Sequence, residues 1–143
     1  MRKKSFKIKK VDKLFLKNAV ERGAKLLDKK EKDWFYHDFK NLEMSICSRC
    51  ILGQLYGNFF KGQDILFPDT GDNYLGVCTS SLENGFDVSN SLCRTIGGYN
   101  EFYSGNVTDE VYAYLAKRWN KAIKKRLKSL KSVDGNDFKC YTI

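Results

Sequence analysis

Apolar residues spaced three and four positions apart predict an amphipathic helix between Asp12 and Asp28. Asp12 is a suitable N-cap for this helix, because its carboxylate can accept hydrogen bonds from the free N–H groups of the first turn. The charged run that follows, DKKEKD, is typical of a solvated turn. The apolar positions of the predicted helix are Leu14, Phe15, Leu16, Ala19, Val20, Leu26 and Leu27.

A second helix is predicted immediately after Cys50, where apolar residues repeat as adjacent pairs four positions apart. They form one continuous helical face, and Gly62 is placed to end the helix at its C′ position. Gly53 and Gly57 each lower helix stability, so we expect another backbone segment to approach closely there. The face consists of Ile51, Leu52, Leu55, Tyr56, Phe59 and Phe60, and a short helical or looped element before it contains Trp34, Phe35, Phe39 and Leu42.

Residues 63–107 differ from the helical parts, because Pro68 and closely spaced glycines break them into short pieces. Strand-like fragments remain near 74–78 and 92–96. A last helix is predicted from an N-cap at Thr108, with Asp109 and Glu110 suiting the helix dipole in its first turn. Its predicted buried stripe is Val111, Leu115, Trp119, Ala122, Ile123, Leu127 and Leu130.

These patterns predict one predominantly helical α+β domain over residues 1–143. Helical parts at 12–62 and 108–131 would pack together, and residues 63–107 would form a loop-rich insert with a small sheet. A long irregular segment inside a compact domain needs a further link to the core. We therefore expect a structural zinc ion to hold the insert in place.

The charge of the chain is divided into three blocks. Residues 1–61 carry 16 basic and 7 acidic side chains, residues 62–116 carry one basic and eight acidic, and residues 117–143 carry nine basic and two acidic. The total is +9, but this distribution excludes a uniformly basic nucleic-acid-binding coat. It indicates either two faces of opposite charge or basic ends folded against the acidic middle.

Length and composition indicate a globular protein, with 42% hydrophobic residues in a chain of 143. No apolar run approaches the ~20 residues that span a bilayer. Lysines interrupt the apolar positions near the start, which does not fit a secretory signal. We therefore expect no membrane contact and a cytoplasmic location, where cysteines bind metal more readily than they form disulfides.

Cys47-Ser-Arg-Cys50 has the spacing of a zinc knuckle, in which a tight turn directs two thiolates at one metal ion. Cys78 and Cys93, near the two ends of the insert, complete a predicted four-cysteine site and leave Cys140 over. Four thiolates leave no open position for water, so the zinc would be structural. Two alternatives stay open. The thiols could be small residues at a helix start, or a thioredoxin-like redox pair, although no preceding strand supports the latter.

The search for a catalytic site is negative. His37 is the single histidine; it could substitute for one metal ligand or act as a base, but no nucleophile is placed beside it in the sequence. A phosphate-binding glycine motif is absent, and His37 lacks the glutamate that follows the histidine of zinc deaminases. We therefore expect a protein that is not an enzyme.

The last helix carries the predicted partner-binding residues on its polar side. Their charges could follow a phosphate backbone and give steep salt dependence, but a solvated outer face fits the same pattern. No aromatic interleaving or DNA-reading motif accompanies them, and the acidic insert could instead face a basic partner. The six residues are Lys117, Arg118, Lys121, Lys124, Lys125 and Lys128.

Residues 19–59 resemble a family of short phage and prophage proteins. The shared pattern is R-G-A-x-L-L-D, a tryptophan, L-(D/E)-M and C-x-x-C-x-L-G-Q-L-(Y/F)-G, found here at 22–28, 34, 42–44 and 47–57. A later Gly85-Phe86 and the tryptophan Trp119 of the last helix also look similar. The segment 62–106 looks longer than usual, so the resemblance does not supply Cys78 and Cys93 as ligands.

The resemblance implies a mobile-element origin and a place in the cytoplasm of a host bacterial cell. The resemblance implies no activity. Small phage proteins with charged surfaces and no catalytic residues are often inhibitors of host defence, and by this analogy of context and size we expect an anti-CRISPR protein. We therefore predict direct binding to a Cas9-type defence nuclease, through the basic helix or the acidic insert, with fast and salt-sensitive association. The alternative is a basic nucleic-acid-binding regulator whose last helix contacts phosphates.

Overall fold

The regular secondary structure in the described ranges consists of helices, which are joined by turns and irregular segments such as residues 37–50. The computed structural model describes residues 8–68, 78–88 and 105–141, and for 105–108 and 131–141 the backbone alone. Its elements are α1 (Lys10–Lys30), a 3₁₀ helix (Trp34–Tyr36), α2 (Ile51–Tyr56), α3 (Phe59–Leu66), α4 (Thr79–Glu83) and α5 (Gly105–Tyr141).

The predicted α+β class with a small sheet is wrong, because the described ranges contain helices and no strand. The predicted strands at 74–78 and 92–96 lie mostly outside those ranges, but Cys78 is the N-cap of α4. Turn signals such as Pro68 limit the length of an element without choosing its type, and a five-residue helix fits between them as well as a strand does. The domain boundaries of 1–143 include residues outside the described part and stay a prediction.

Helices α1 and α5 confirm the first and last predicted helices, with longer bounds. The N-cap of α1 is Lys9, so Asp12 lies in the first turn, where its negative charge suits the helix dipole. Since α5 begins at Gly105, Thr108 lies inside the helix and is not its cap. Periodicity locates a helix well but its first residue poorly, because several neighbouring groups can satisfy the free N–H groups at a helix end.

The second predicted helix is in fact two helices, which meet at Gly57 and Asn58. Gly57 has a φ of 107°, which ends α2, and the Asn58 side chain accepts a hydrogen bond from the Lys61 N–H at 2.9 Å as the N-cap of α3. One continuous helical face is therefore wrong. Gly62 does not end a helix either, because it lies within α3. A Cβ atom at Gly62 would lie 2.8 Å from Leu52 Cβ, so the glycine lets α3 fold back against α2.

Trp119 of α5 lies at the centre of the core and is fully buried. Its ring stacks on Phe86 with the centroids 5.2 Å apart and makes a T-shaped contact with Trp34 at 5.8 Å. The indole N–H donates to the Gly85 carbonyl at 2.6 Å, which satisfies the polar atom of the ring away from water. The predicted α5 stripe is confirmed for the buried residues Val111, Leu115, Trp119 and Ile123, but it is wrong for Leu127, which is 39% exposed.

Helices α1 and α5 lie side by side and run in the same direction. Near the start of their contact, the Lys13 ammonium lies 5.6 Å from the centre of the Tyr114 ring. Near its end, the Arg126 guanidinium donates to the Asp28 carboxylate from Nε at 2.9 Å and from Nη2 at 2.8 Å. Residue numbers therefore rise together along the two helices, and this register decides which of their charged side chains face each other.

Candidate functional site

Five of the six predicted partner-binding residues are exposed on α5, and Arg118 is half-buried. Four of them follow one another at intervals of four, three and four residues, which places them along one line of the helix, on the side opposite Trp119. Within the described ranges, none of the six forms an ion pair. The line consists of Lys117, Lys121, Lys124 and Lys128.

A groove of about 360 Å³ lies between α1 and α5. Val20 and Ala122 contribute apolar surface to its lining, and Glu21 is the one acidic residue there. Basic side chains from both helices surround that single carboxylate, so the groove has a strongly positive potential. These side chains are Lys17, Lys25, Arg118, Lys121, Lys125 and Arg126.

Helix periodicity explains how each side chain reaches the groove. Lys17 and Lys25 lie two turns apart on α1 with Glu21 between them, and neighbours four residues apart share a side of a helix. On α5, Lys121 and Lys125 have the same spacing. Lys17 and Lys25 were not among the residues predicted from the sequence to bind a partner. Their spacing was visible in the sequence, but only the parallel packing of the two helices brings them opposite the basic side chains of α5.

Arg118 differs from the other basic residues of the groove in the burial of its polar atoms. Its Nε is buried and has no hydrogen-bond partner within the described part of the chain. A guanidinium is always charged and carries five N–H donors. Leaving one donor buried without a partner costs roughly 1–3 kcal/mol. The groove therefore contains a cationic donor whose hydrogen-bonding capacity is not used by the described residues.

Arg126, by contrast, has a structural role at the end of the groove. Its hydrogen bonds to Asp28 lower the pKa of that carboxyl below the ordinary value, and partial burial acts in the opposite direction. The Trp34 indole N–H donates to the same carboxylate at 2.8 Å, which lowers the pKa further. The Arg126 guanidinium also lies 5.7 Å from the centre of the Trp34 ring. Asp28, Trp34 and Arg126 thus link α1, the 3₁₀ helix and α5, and the charge of Arg126 is already neutralised.

A second groove, of about 770 Å³, lies on the other side of α5, against residues 42–45. Lys117, Lys121 and Lys124 line it, but Glu43 and Asp109 do so as well. Because its charges are mixed, this groove favours anions less than the groove between α1 and α5. Lys121 lines both, so the basic line of α5 forms a ridge between them.

Cys50, the second thiol of the predicted zinc knuckle, is buried and caps α2. Its sulfur accepts a hydrogen bond from the Gly53 N–H at 3.3 Å, and burial raises the pKa of the Cys50 thiol to about 11. Cys47 is exposed, and its carbonyl accepts from the Phe59 N–H at 2.9 Å. A Cβ atom at Gly53 would clash with that carbonyl oxygen, which confirms the predicted close approach there, whereas a Cβ atom at Gly57 would meet nothing within 4 Å and the prediction is wrong for that glycine. The CSRC turn thus connects α2 and α3.

Cys78, the third predicted ligand, belongs to a buried polar network between α3 and α4. Its backbone N–H donates to the Gln63 side-chain oxygen at 2.8 Å, and the Ser81 hydroxyl donates to the same oxygen at 2.7 Å. The Cys78 thiol donates a hydrogen bond to the Ser81 hydroxyl oxygen, with the sulfur and oxygen atoms 3.5 Å apart. Across the described ranges, no three cysteine, histidine or acidic side chains form a metal-binding group. The described cysteines alone do not make a zinc site, and since Cys93 lies outside these ranges, the zinc prediction stays a prediction.

The residues of the phage-like pattern contribute to the packing of the fold. The Gln54 amide bonds to both the N–H and the carbonyl of Lys40 at 3.0 Å and donates to the Arg49 carbonyl at 2.8 Å, which fixes the loop before α2. The Arg22 Nε donates to the Glu83 carbonyl at 2.9 Å, and this bond joins α1 to α4. The pattern therefore identifies residues that hold the helices together and are not part of the basic groove.

His37 lies in an exposed position, with its ring 4.8 Å from that of Phe39. The sequence-based expectation that the protein is not an enzyme stays a prediction. Among the described helices, none has the length and apolar composition needed to cross a bilayer.

Comparison with known proteins found no match: no family model, no curated protein and no solved structure is similar to this chain. The resemblance to phage proteins therefore stays a prediction from the sequence pattern, and the anti-CRISPR function stays an expectation by analogy.

Proposed function

We propose that this protein is a non-catalytic nucleic-acid-binding protein that contacts phosphates with the basic surface of α1 and α5. The observation that supports the proposal is the groove between these helices, where six basic side chains surround one carboxylate. Arg126 is neutralised by Asp28, but the other five form no ion pair within the described residues. Unpaired cations concentrated on one surface attract a polyanion and release its counterions on binding.

The length of the basic line on α5 suits a phosphate backbone. With a rise of 1.5 Å per residue, Lys117 and Lys128 are separated by about 16 Å along the helix axis. One strand of a duplex carries a phosphate about every 3.4 Å of its axis, so the line covers about five phosphates. Lysines bind phosphate as point charges and read no bases. We therefore expect binding with little sequence specificity.

The predicted inhibition of a Cas9-type nuclease involves the same basic helix but a different partner. It is supported by the phage-like pattern, and an acidic protein surface would complement the groove as a phosphate backbone does. Nucleic acid is the better-supported partner, because it needs only the clustered cations. Binding to such a nuclease without binding to nucleic acid is the outcome that would favour the inhibitor hypothesis.

The test is a titration of fluorescently labelled duplex and single-stranded DNA and RNA, measured by anisotropy between about 50 and 200 mM salt. The variant Lys121→Gln with Lys125→Gln removes two charges from the groove. The control variant, Lys40→Gln with Lys61→Gln, removes the same charge from exposed positions elsewhere. For duplex DNA we expect the groove variant to bind more weakly and to lower the slope of log affinity against log salt by about two.

The control variant should keep most of the wild-type affinity and slope. Equal weakening by both variants would mean that net charge alone attracts the nucleic acid. No binding by the wild-type protein at low salt would contradict the proposed function directly, and a Cas9-type nuclease would then be titrated in its place.

A further inference from the structure

The groove between α1 and α5 contains a feature that a merely solvated basic surface lacks. Lysine ammonium groups on a surface stay hydrated, and the exposed Lys25, Lys121 and Lys125 can do so. Arg118 cannot hydrate all its donors, because its Nε is buried without a partner among the described residues. Glu21 lines the same groove but forms no ion pair with Arg118. The two Nη groups of Arg118 are not buried and form no hydrogen bond with the described residues, so they are the donors that a ligand in the groove can reach.

We propose that the groove is a discrete phosphoryl-binding site in which Arg118 is the central donor. The guanidinium is planar, and two of its N–H groups can bind two oxygens of one phosphoryl group side by side. Lys17 on α1 and Lys121 and Lys125 on α5 line the same groove and supply further positive charge around the ligand. Arg118 is thus distinguished from the lysines by geometry, since a lysine cannot make the paired contact.

The size of the groove suits a ligand larger than a single water-sized ion. A volume of about 360 Å³ is many times the volume needed to hold one water molecule. Inorganic pyrophosphate, with nine non-hydrogen atoms and two phosphoryl groups, fits within that space. We therefore expect pyrophosphate to bind more tightly than inorganic phosphate, because it places two phosphoryl groups among the same cations.

This inference depends on the proposed function only for the origin of the phosphoryl group, which there belongs to a nucleic-acid backbone. A free phosphorylated molecule offers the same chemistry. A titration with the free anion tests the site by itself, and the DNA titration above tests the proposed function. The two can therefore fail separately.

The experiment is isothermal titration calorimetry of the full chain with inorganic pyrophosphate and inorganic phosphate at low salt. We expect saturable binding of one pyrophosphate per chain. Arg118→Gln should weaken it by about tenfold or more, since the paired contact is lost together with the charge. Arg118→Lys keeps the charge but loses the planar fork, so it should weaken binding several-fold. Lys61→Gln, exposed on α3 and outside the groove lining, should stay within about twofold of the wild type.

A variant that binds pyrophosphate more tightly provides a control for misfolding, because a misfolded protein would lose binding. Glu21 is exposed and is the acidic residue of the lining, so Glu21→Gln should strengthen pyrophosphate binding by about twofold or more. If Arg118→Gln does not fold, as judged by circular dichroism, Lys17→Gln with Lys125→Gln replaces it and should also weaken binding. Stronger binding by Glu21→Gln together with weaker binding by either loss variant supports the site.

Three results would overturn the proposal. Pyrophosphate could fail to saturate, Arg118→Lys could bind as tightly as the wild type, or Arg118→Gln and Lys61→Gln could weaken binding equally. The last two would mean diffuse attraction without a defined donor. DNA binding without pyrophosphate binding would leave the proposed function standing and remove the groove site. Pyrophosphate binding without nucleic-acid binding would keep the site and assign it to a free phosphorylated molecule.

Discussion

Individual glycines decide how closely the helices of this protein approach one another. Gly23 lies within α1, where a Cβ atom would be 2.0 Å from the Asn84 carbonyl oxygen and 3.0 Å from the Trp119 ring. Gly85 has a φ of 73°, and a Cβ atom there would lie 2.7 Å from the Val20 nitrogen. The contacts with Asn84 and Val20 are with backbone atoms, which cannot turn away as a flexible side chain can. These two glycines allow α1, α5 and the turn after α4 to meet around Trp119.

The substitution Gly23→Ala tests whether α1 packs as closely as described at this residue. In an exposed helix the change would gain about 1 kcal/mol from helix propensity. Here the new methyl group meets a backbone carbonyl, and overpacking of this kind costs about 1–3 kcal/mol, so we expect the free energy of unfolding to fall. Urea denaturation of Gly23→Ala measures whether the free energy of unfolding falls or rises. Asn18→Ala, an exposed change in the same helix, should be neutral or slightly stabilising. Stabilisation by Gly23→Ala would show that the approach is looser than described.

At the scale of the helices, an ion pair between Asp28 of α1 and Arg126 of α5 makes the stability of their contact depend on pH. Asp28 accepts two hydrogen bonds from Arg126, and this lowers the pKa of the Asp28 carboxyl. Because the folded state favours the ionised form, the carboxylate stabilises the fold above the ordinary aspartate pKa, near 3.9. The contribution is lost as the pH falls through the lowered pKa of the folded state.

Asp28→Asn should therefore reduce the free energy of unfolding at neutral pH, by about 1 kcal/mol for a partly exposed pair. Its stability should also fall less steeply than that of the wild type below about pH 4. Denaturation curves collected across this range provide the measurement. Asp38→Asn is the control, because its pair with Lys40 is fully solvated and should contribute almost nothing. Parallel pH profiles for the wild type and Asp28→Asn would exclude the link as a source of acid sensitivity.

At the scale of the whole molecule, the four-cysteine hypothesis makes a prediction about composition. Cys47, Cys50, Cys78 and Cys93 as ligands would give one zinc per chain, and loss of any thiolate would release it. Elemental analysis of the purified protein, with Cys47→Ser and Cys78→Ser beside it, measures this. Cys140→Ser, outside the predicted ligand set, is the control and should retain the metal. A metal-free wild-type chain would leave Cys50 as the cap of α2 and Cys78 as part of the polar network with Ser81.

The sequence alone determined where the long helices lie. Apolar spacing located α1 and α5 and most of the buried stripe, because an amphipathic helix needs little beyond its own periodicity to be recognised. It also located the lysines of α5, and Gly53 as a point of close approach. The break between α2 and α3 was missed, since the apolar face continues across it. A left-handed Gly57 followed by the cap Asn58 outweighs that local pattern.

Only the tertiary structure decided what the charged residues can do together. Lys17 and Lys25 are ordinary helix-surface lysines until α1 packs parallel to α5, which brings them to the same groove as Arg118 and Lys125. The unpartnered Arg118 Nε is likewise a product of packing. Periodicity reports which face of a helix is buried, but it carries no information about the direction or register of its neighbour. The groove depends on both, and so the site could not be derived from the sequence.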